Sequence, residues 1–329
     1  MSALAPTLQA FFTDRLLAQR QASPRTVTAY RDTLRLLLCF AQQRTTTPPS
    51  RLDIAELDAE LVVAFLTHLE RDRHNSARTR NARLAAIHSL FRFAALRHPE
   101  HAESIARVLA IPAKRHDRAL LCFLTPTETN ALLAAPDRST WLGRRDHALL
   151  ALAVQTGLRV SELTAVTVAD LHLGDSPHVT CVGKGRKHRA TPLTSQTVAV
   201  LRAWLRERSG ATTDPVFPTR QGHPLSVDAI QWRLAKHVTA AVTSCPSLAG
   251  KRVSPHVLRH TCAMNLLHAG VDIATIALWL GHADIRATQT YLHADLALKE
   301  RALSRTTPPD TAPGRYRPSD PLLAFLEQL

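Results

Sequence analysis

Apolar positions recur every three to four residues over most of this chain, and the interruptions mark out its elements. Leu8, Phe11, Phe12 and Leu16, then Val27, Tyr30, Leu34, Leu37 and Leu38, fall at helical intervals on either side of Ser23-Pro24. The break predicts two helices, the second with Ser23 as N-cap and Pro24 in its first turn, where a proline lacks no needed N–H. A Thr/Pro-rich loop over 45–50 follows, then a helix centred on Leu61 to Leu69, a polar turn over 72–76 and a helix over 77–96. That last helix carries Leu84, Ile87, Leu90, Phe91 and Ala94 facing one way and Arg78, Arg80, Arg83 and Arg92 along one side. The first hundred residues therefore read as a four-helix unit with a basic rim.

Thr125-Pro126-Thr127-Glu128 has capping-box spacing and predicts a new helix start, and Leu142 to Leu152 gives a further helix ending near Gly157. The period then changes. His178 to Val182 and His188 to Leu193 alternate around Gly183-Lys184-Gly185-Arg186-Lys187, which predicts a β-hairpin with Lys184 at its tip. Helices resume over 195–208 and 227–242. From Ser254 to Tyr291, Ala263, Leu266, Leu267, Val271, Ile273, Ile276, Leu278 and Leu280 form an apolar frame. It holds out a polar set: His256, Arg259 and His260, then Gly281-His282, then Tyr291. Another short helix is expected after Tyr291. Pro308, Pro309, Pro313 and Pro318 make 306–320 irregular, and 322–329 reads as a short apolar helix that needs a groove to be stable, in a neighbouring protomer or in its own domain.

The pattern gives a mainly α fold with a small β-hairpin or sheet, an α+β class. The expected layout is a helical DNA-binding domain over residues 1–110, a basic linker over 111–122, a catalytic domain over 123–305 and a tether with terminal helix over 306–329. A chain of 329 residues suits two domains, each able to bury a core. Charge narrows the function. Lys+Arg 41 against Asp+Glu 27 leaves a net +14, which points to a polyanion, and nucleic acid comes ahead of a membrane because no single amphipathic helix concentrates the charge. Five scattered cysteines, at 39, 122, 181, 245 and 262, look like buried thiols of a reducing compartment. With no signal pattern and no long apolar run, the expected place is the cytoplasm, in association with the nucleoid.

Four separated pieces line up in order: Thr156-Gly157-Leu158-Arg159-Val160-Ser161-Glu162-Leu163, the hairpin Lys184, His256-Val257-Leu258-Arg259-His260, and Leu280-Gly281-His282 with Tyr291 nine positions later. In order, spacing and residue type this resembles the tyrosine recombinase, or phage integrase, family and its Xer-like members. The motifs span about 123–298, and 75–93 also resembles the family's SAM-like core-binding domain.

The resemblance implies a site-specific recombinase that cleaves and rejoins DNA through a 3′-phosphotyrosine, working as a homo-tetramer through a Holliday junction, with exchange of the C-terminal helix between protomers. It also implies a C-shaped clamp on double-stranded DNA. The chemistry of the residues agrees. Attack on a phosphodiester spreads charge over non-bridging oxygens, which planar, always-charged guanidiniums suit, so Arg159 and Arg259 are the expected clamps. Of three tyrosines, Tyr30 lies on an apolar helix face and Tyr316 in the proline-rich tail, which leaves Tyr291 as nucleophile. Lys184 is the expected group to deliver a proton to the leaving oxygen or to neutralise its developing charge, with Arg186 and Lys187 as alternates or phosphate contacts. His256 and His282 are expected as proton-transfer and hydrogen-bonding groups on the scissile phosphate, with His260 behind them and Glu162 orienting the Arg159 clamp or another basic group. Arg78, Arg80, Arg83, Lys114 and Arg115 are candidates for holding DNA.

Metal chemistry is disfavoured. His256 and His260 have the spacing of a zinc-hydrolase helix, but Val257 stands where the general-base glutamate would be, and no cysteine pair has zinc-finger spacing. No cofactor is expected, since a phosphotyrosine conserves the energy for rejoining. The competing readings are a type IB topoisomerase-like nicking-closing enzyme and a non-catalytic DNA-binding protein on the same fold.

Overall fold

The computed structural model describes residues 4–115, 121–183, 188–208, 210–282, 284–285 and 288–291. The chain divides into two compact units, 1–119 and 120–329. Both are mainly helical, and the second adds one three-stranded antiparallel sheet.

In the first unit, α1 (Leu4–Ala10) runs into a π-wound segment, Phe11–Gln19, and is followed by α2 (Pro24–Thr45), α3 (Ala59–Arg71), α4 (Ala77–Ala94) and α5 (Ala102–Leu109). Short polar side chains set the helix starts: Ser23 Oγ accepts from Thr26 N–H at 3.3 Å, Asp58 from Leu61 N–H at 2.8 Å, and Ser76 from Thr79 N–H at 3.3 Å. Phe11, Leu34, Leu37, Phe65, Ile87 and Phe91 pack into one core, and Tyr30 stacks on Phe11 as its apolar position implied. Ile105 and Val108 of α5 are buried in the same core, so this short helix joins the unit. One expectation changes: the basic rim loses a member. Arg80 is only 6 % exposed; its Nη1 donates to the Pro112 carbonyl at 3.0 Å and to Asn81 Oδ1 at 3.1 Å. Arg78 stays exposed and Arg83 half-buried. The start of the expected linker is fastened here too. Ile111 is buried, Lys114 N–H donates to Asn81 Oδ1, and Lys114 Nζ pairs with Glu70 at 2.7 Å. Arg115 is exposed.

The second unit opens with α6 (Pro126–Ala134), whose capping box is formed by Thr125 and Glu128. α7 (Trp141–Thr156) and the short α8 (Val160–Ala165) follow. The sheet order is β1 (Leu171–His172), β2 (His178–Val182), β3 (His188–Pro192), with Val179 opposite Thr191 and Val182 opposite His188. Then come α9 (Ser195–Arg208), α10 (Val227–Ala241), α11 (Pro255–His268) and α12 (Ile273–Leu280). Leu149, Leu152, Val179, Leu201, Trp204 and Leu234 belong to the main core, and Trp204 Nε1 donates to the Val216 carbonyl at 2.7 Å. A smaller cluster, Cys262, Ala263, Met264, Leu267, Ile276, Leu280 and Tyr291, glues α11 to α12 and to the tyrosine. Leu278 breaks the expected apolar frame, being 77 % exposed. The hairpin tip with Lys184, Arg186 and Lys187, the helix expected after Tyr291, and 306–329 lie outside the described residues.

All five cysteines are free thiols, and Cys39 is exposed rather than buried, because it falls off the α2 stripe of Leu34, Leu37 and Ala41. Among the described residues no helix is long and apolar enough to cross a membrane, and no group of three or more His, Cys, Asp or Glu could hold a metal ion.

Candidate active site

Helix α7 has to stop where the chain turns into Arg159, and Gly157 makes the stop. It caps the helix in the left-handed region at φ 63°, and a Cβ there would lie 2.8 Å from Leu280 Cδ2 and 3.2 Å from Cys262 Cβ. Gly281 does the same for α12 at φ 63°. Both glycines leave backbone carbonyls aimed into the space between α7 and α12, and helix C-termini carry partial negative charge that suits a guanidinium. Arg259 uses this twice, donating from Nη1 to the Gly157 carbonyl at 2.7 Å and from Nη2 to the Leu280 carbonyl. Arg159 Nη2 donates to the Gly281 carbonyl at 2.9 Å. The two arginines, 100 positions apart in the chain, are thus both anchored on the C-terminal end of α12, and Arg259, carried by α11, is anchored on that of α7 as well.

One carboxylate organises the remaining charge. Glu162 accepts from Arg159 N–H at 2.7 Å and from Arg159 Nη1 at 2.9 Å. It also takes a forked pair from Arg189 on β3, Nη1 to Oε1 at 2.9 Å and Nη2 to Oε2 at 2.7 Å. Burial acts to raise the Glu162 pKa, but the bonds from Arg189 and Arg159 outweigh it and hold the carboxyl below its ordinary range. Arg189 is the residue that the sequence reading missed. It lies on the same face of the hairpin as buried Thr191 and opposite Cys181, a phase that marks it as inward, but nothing local showed that it would meet Glu162.

Among the described residues, three guanidiniums therefore surround one carboxylate, Arg159 and Arg189 bonded to it and Arg259 coupled to it only through charge. Arg259 registers the imbalance. Burial, then repulsion from Arg159 and Arg189, lower its pKa from 12.5 to about 10, and Glu162 and Tyr291 offset this only in part. Such a site is short of negative charge at its centre, which is the condition for binding an anion.

The nucleophile candidate is next to it. Tyr291 is 2 % exposed, and burial pushes its phenol up to about 12. His260 Nδ1 lies 3.1 Å from the Tyr291 hydroxyl. The His282 ring stacks parallel to the phenol, with centroids 6.5 Å apart and planes at 9°, while its Nδ1 bonds Thr288 Oγ1 at 2.7 Å. The His256 ring meets His260 edge-on at 4.2 Å; His256 itself is exposed. Burial, then the charges of His256, Arg259 and His282, push His260 to about 4; burial, with Arg259 and Arg159, does the same to His282. Of the sequence candidates, Arg159, Glu162, His256, Arg259, His260, His282 and Tyr291 come together. Lys184 lies outside the described residues, but β2 and β3, which flank it, bring Arg189 of the same hairpin into the site.

Comparison with known proteins gives the following. The model of the phage integrase family matches residues 122–297, and that of the phage integrase N-terminal SAM-like domain matches 10–98. A Sinorhizobium fredii protein named putative integrase/recombinase y4rC is 56 % identical over 328 residues, covering 100 % of this chain and 99 % of the relative. The tyrosine recombinase XerC of Xanthomonas campestris is 37 % identical over 284 residues, 86 % of this chain and 83 % of its own. Among solved structures, the XerH site-specific recombinase bound to a palindromic difH substrate matches with a TM-score of 0.68 at 22 % identity, over 87 % of this chain and 81 % of that one. The Tn1549 transposon integrase with circular intermediate DNA matches at 0.69 and 16 % identity, over 93 % of this chain and 100 % of that one. The last two share the fold.

Proposed function

This chain belongs to the phage integrase family, and on that premise we propose that it cleaves and rejoins DNA strands at a specific site through a 3′-phosphotyrosine bond to Tyr291. The observation that carries the reading is the charge deficit beside the tyrosine: among the described residues, Arg159, Arg189 and Arg259 gather around the one carboxylate of Glu162, which bonds the first two, next to a buried phenol. A scissile phosphodiester supplies the missing negative charge. In the transition state its non-bridging oxygens gain charge, and guanidiniums already fixed by backbone carbonyls stabilise them with little reorganisation.

Arg159 and Arg259 are the clamps, and Glu162 with Arg189 holds Arg159 in place. Tyr291 Oη attacks phosphorus, the bond to the 5′ oxygen breaks, and Lys184 supplies the proton which that oxygen needs. His256 and His282 border the phosphate. Tyr291 is 2 % exposed with no DNA present, so attack requires its segment to move outward or the phosphate to press in. Because the phosphotyrosine conserves the energy of the phosphodiester, no metal or nucleotide is needed.

Strand exchange between two sites requires four protomers acting through a Holliday junction, and the terminal 322–329 segment is the piece passed to a neighbour. A groove of about 410 Å³, in which Leu133, Val154, Val200, Leu266 and Trp279 alternate with polar residues such as Gln155, Gln196 and Asn265, is the candidate receiver for its apolar face. Exposed cations of the first unit, Arg78, Lys114 and Arg115, supply sequence-independent phosphate contacts. Tyr291→Phe tests the core of the reading. The variant should retain duplex DNA as the native protein does and form no covalent protein–DNA adduct on a nicked duplex; an adduct that persists in it overturns the assignment.

A further inference from the structure

We propose that His260 is a catalytic residue: its Nδ1 takes the Tyr291 phenol proton as the tyrosine attacks phosphorus, and returns it when the strand is rejoined. The inference rests on the recombinase reading and adds to it the partner of the nucleophile.

Position decides among three histidines. His260 Nδ1 is within hydrogen-bond reach of the reacting oxygen at 3.1 Å. His282 presents a parallel ring 6.5 Å away, a stacking geometry, and spends its Nδ1 on Thr288. His256 meets the imidazole of His260 at 4.2 Å and is itself exposed. The contact is also fixed from both sides. His260 sits on α11 directly after Arg259, whose guanidinium is held by two carbonyls, and the Tyr291 ring belongs to the cluster that packs α11 on α12.

The proton inventory closes. With Nδ1 accepting, the phenol donates. As the bond from Oη to phosphorus forms, the phenol proton passes to Nδ1, the bond between phosphorus and the 5′ oxygen breaks, and the electron pair leaves with that oxygen, which is protonated by Lys184. On rejoining, the 5′ hydroxyl attacks phosphorus and gives its proton back to Lys184; Oη leaves with its electron pair and recovers the proton from the His260 imidazolium.

The groups facing the imidazole are His256 and Arg259 on its own helix, His282 from the turn after α12, and Tyr291. Burial and the first three keep it neutral, at about 4, with no DNA present, so it is able to accept. A phosphodiester held by Arg159 and Arg259 offsets those cations and lifts the imidazole toward the range in which it can carry the proton.

The test uses His260→Asn, which keeps a hydrogen-bonding group near the position of Nδ1 but cannot take a proton, on a nicked duplex bearing a sequence that the protein retains from random DNA. Single-turnover formation of the Tyr291 adduct should fall by about 10²- to 10⁴-fold near neutral pH. The native rate should be flat from pH 6 to 9, while the variant should rise roughly tenfold per pH unit, because its phenol must ionise to solvent. A duplex with sulfur in place of the leaving 5′ oxygen needs no proton at that atom. It should restore Lys184→Ala and leave His260→Asn slow. Unchanged duplex binding by His260→Asn shows that the site is folded. A variant within a few-fold of native, a flat variant profile, or rescue by the sulfur substrate overturns the proposal. If the native protein forms no tyrosine-linked adduct on any retained duplex, the recombinase reading fails and the role of His260 with it.

Discussion

Glu162→Gln removes the one carboxylate that the described residues place among three guanidiniums, while keeping the shape of the side chain. Glu162 is 5 % exposed and accepts four hydrogen bonds, two from Arg159 and two from Arg189. The amide can still accept at Oε1, but its NH₂ faces guanidinium donors and the charge is gone. Removing one partner from a buried ionic group costs about 3–5 kcal/mol, because the remaining charges stay buried without compensation. For a unit of this size each kcal/mol is about 2–4 °C in Tm, so thermal unfolding at pH 7 followed by circular dichroism should show a drop of roughly 6–20 °C in the transition of the second unit. The folded carboxyl titrates below its ordinary value of 4.5. Its contribution is therefore complete above that pH and is lost as pH falls through the lower, folded value, and the gap between variant and native protein narrows only there. Adding sulfate should raise Tm more in the variant, whose site carries one more uncompensated positive charge. A Tm equal to the native value at pH 7, or a sulfate response weaker than native, refutes the account of the site as an anion-binding centre balanced by Glu162.

Two further outcomes follow from the same geometry. Gly157→Ala forces a Cβ at φ 63° into Leu280 and Cys262; a loss of about 1–3 kcal/mol in urea unfolding is expected, and a variant as stable as native would contradict the close approach of α7 to α12. His260 and His282 titrate near 4 in the folded chain against an ordinary 6.5. Between those values the unfolded chain takes up protons that the folded one refuses, so stability should fall as pH drops from about 6.5 to 4; a urea midpoint that holds or rises over that range would show that the two imidazoles are not buried as neutral groups.

The helices were legible because most have an apolar stripe and a polar N-cap, as at Ser23, Ser76 and Thr125. Arg80 was legible too, in retrospect. It stands four before Leu84 and seven before Ile87, on the buried stripe of α4, and weighing its charge above its phase placed it on the rim. Leu278 was not. Every residue of α12 but Thr275 is apolar, so no periodicity marks which side faces out, and only packing against α11 shows that Ile276, Ala277 and Leu280 are the inward set. Arg189 could not be found from spacing, since its partner lies 27 positions earlier and on a helix, and the approach of β3 to α8 is a property of the packed unit.

What sequence order could least reveal is why the two glycines flank the arginines as they do. The Arg259 side chain is fixed by the carbonyl of Gly157, and that of Arg159 by the carbonyl of Gly281. Each glycine ends a helix in a conformation few other residues accept, and each carbonyl serves the arginine of the other segment. The two arginines are held together only when α7 and α12 have both docked on α11 so that their ends meet, and the Glu162 carboxylate then links the same assembly to β3 through Arg189. Formation of the anion site and docking of the helix ends are consequently one event. This explains how residues spread over more than 130 positions act as a unit, and why a methyl group added at Gly157, which touches no substrate, should weaken the grip on the phosphate as well as the fold.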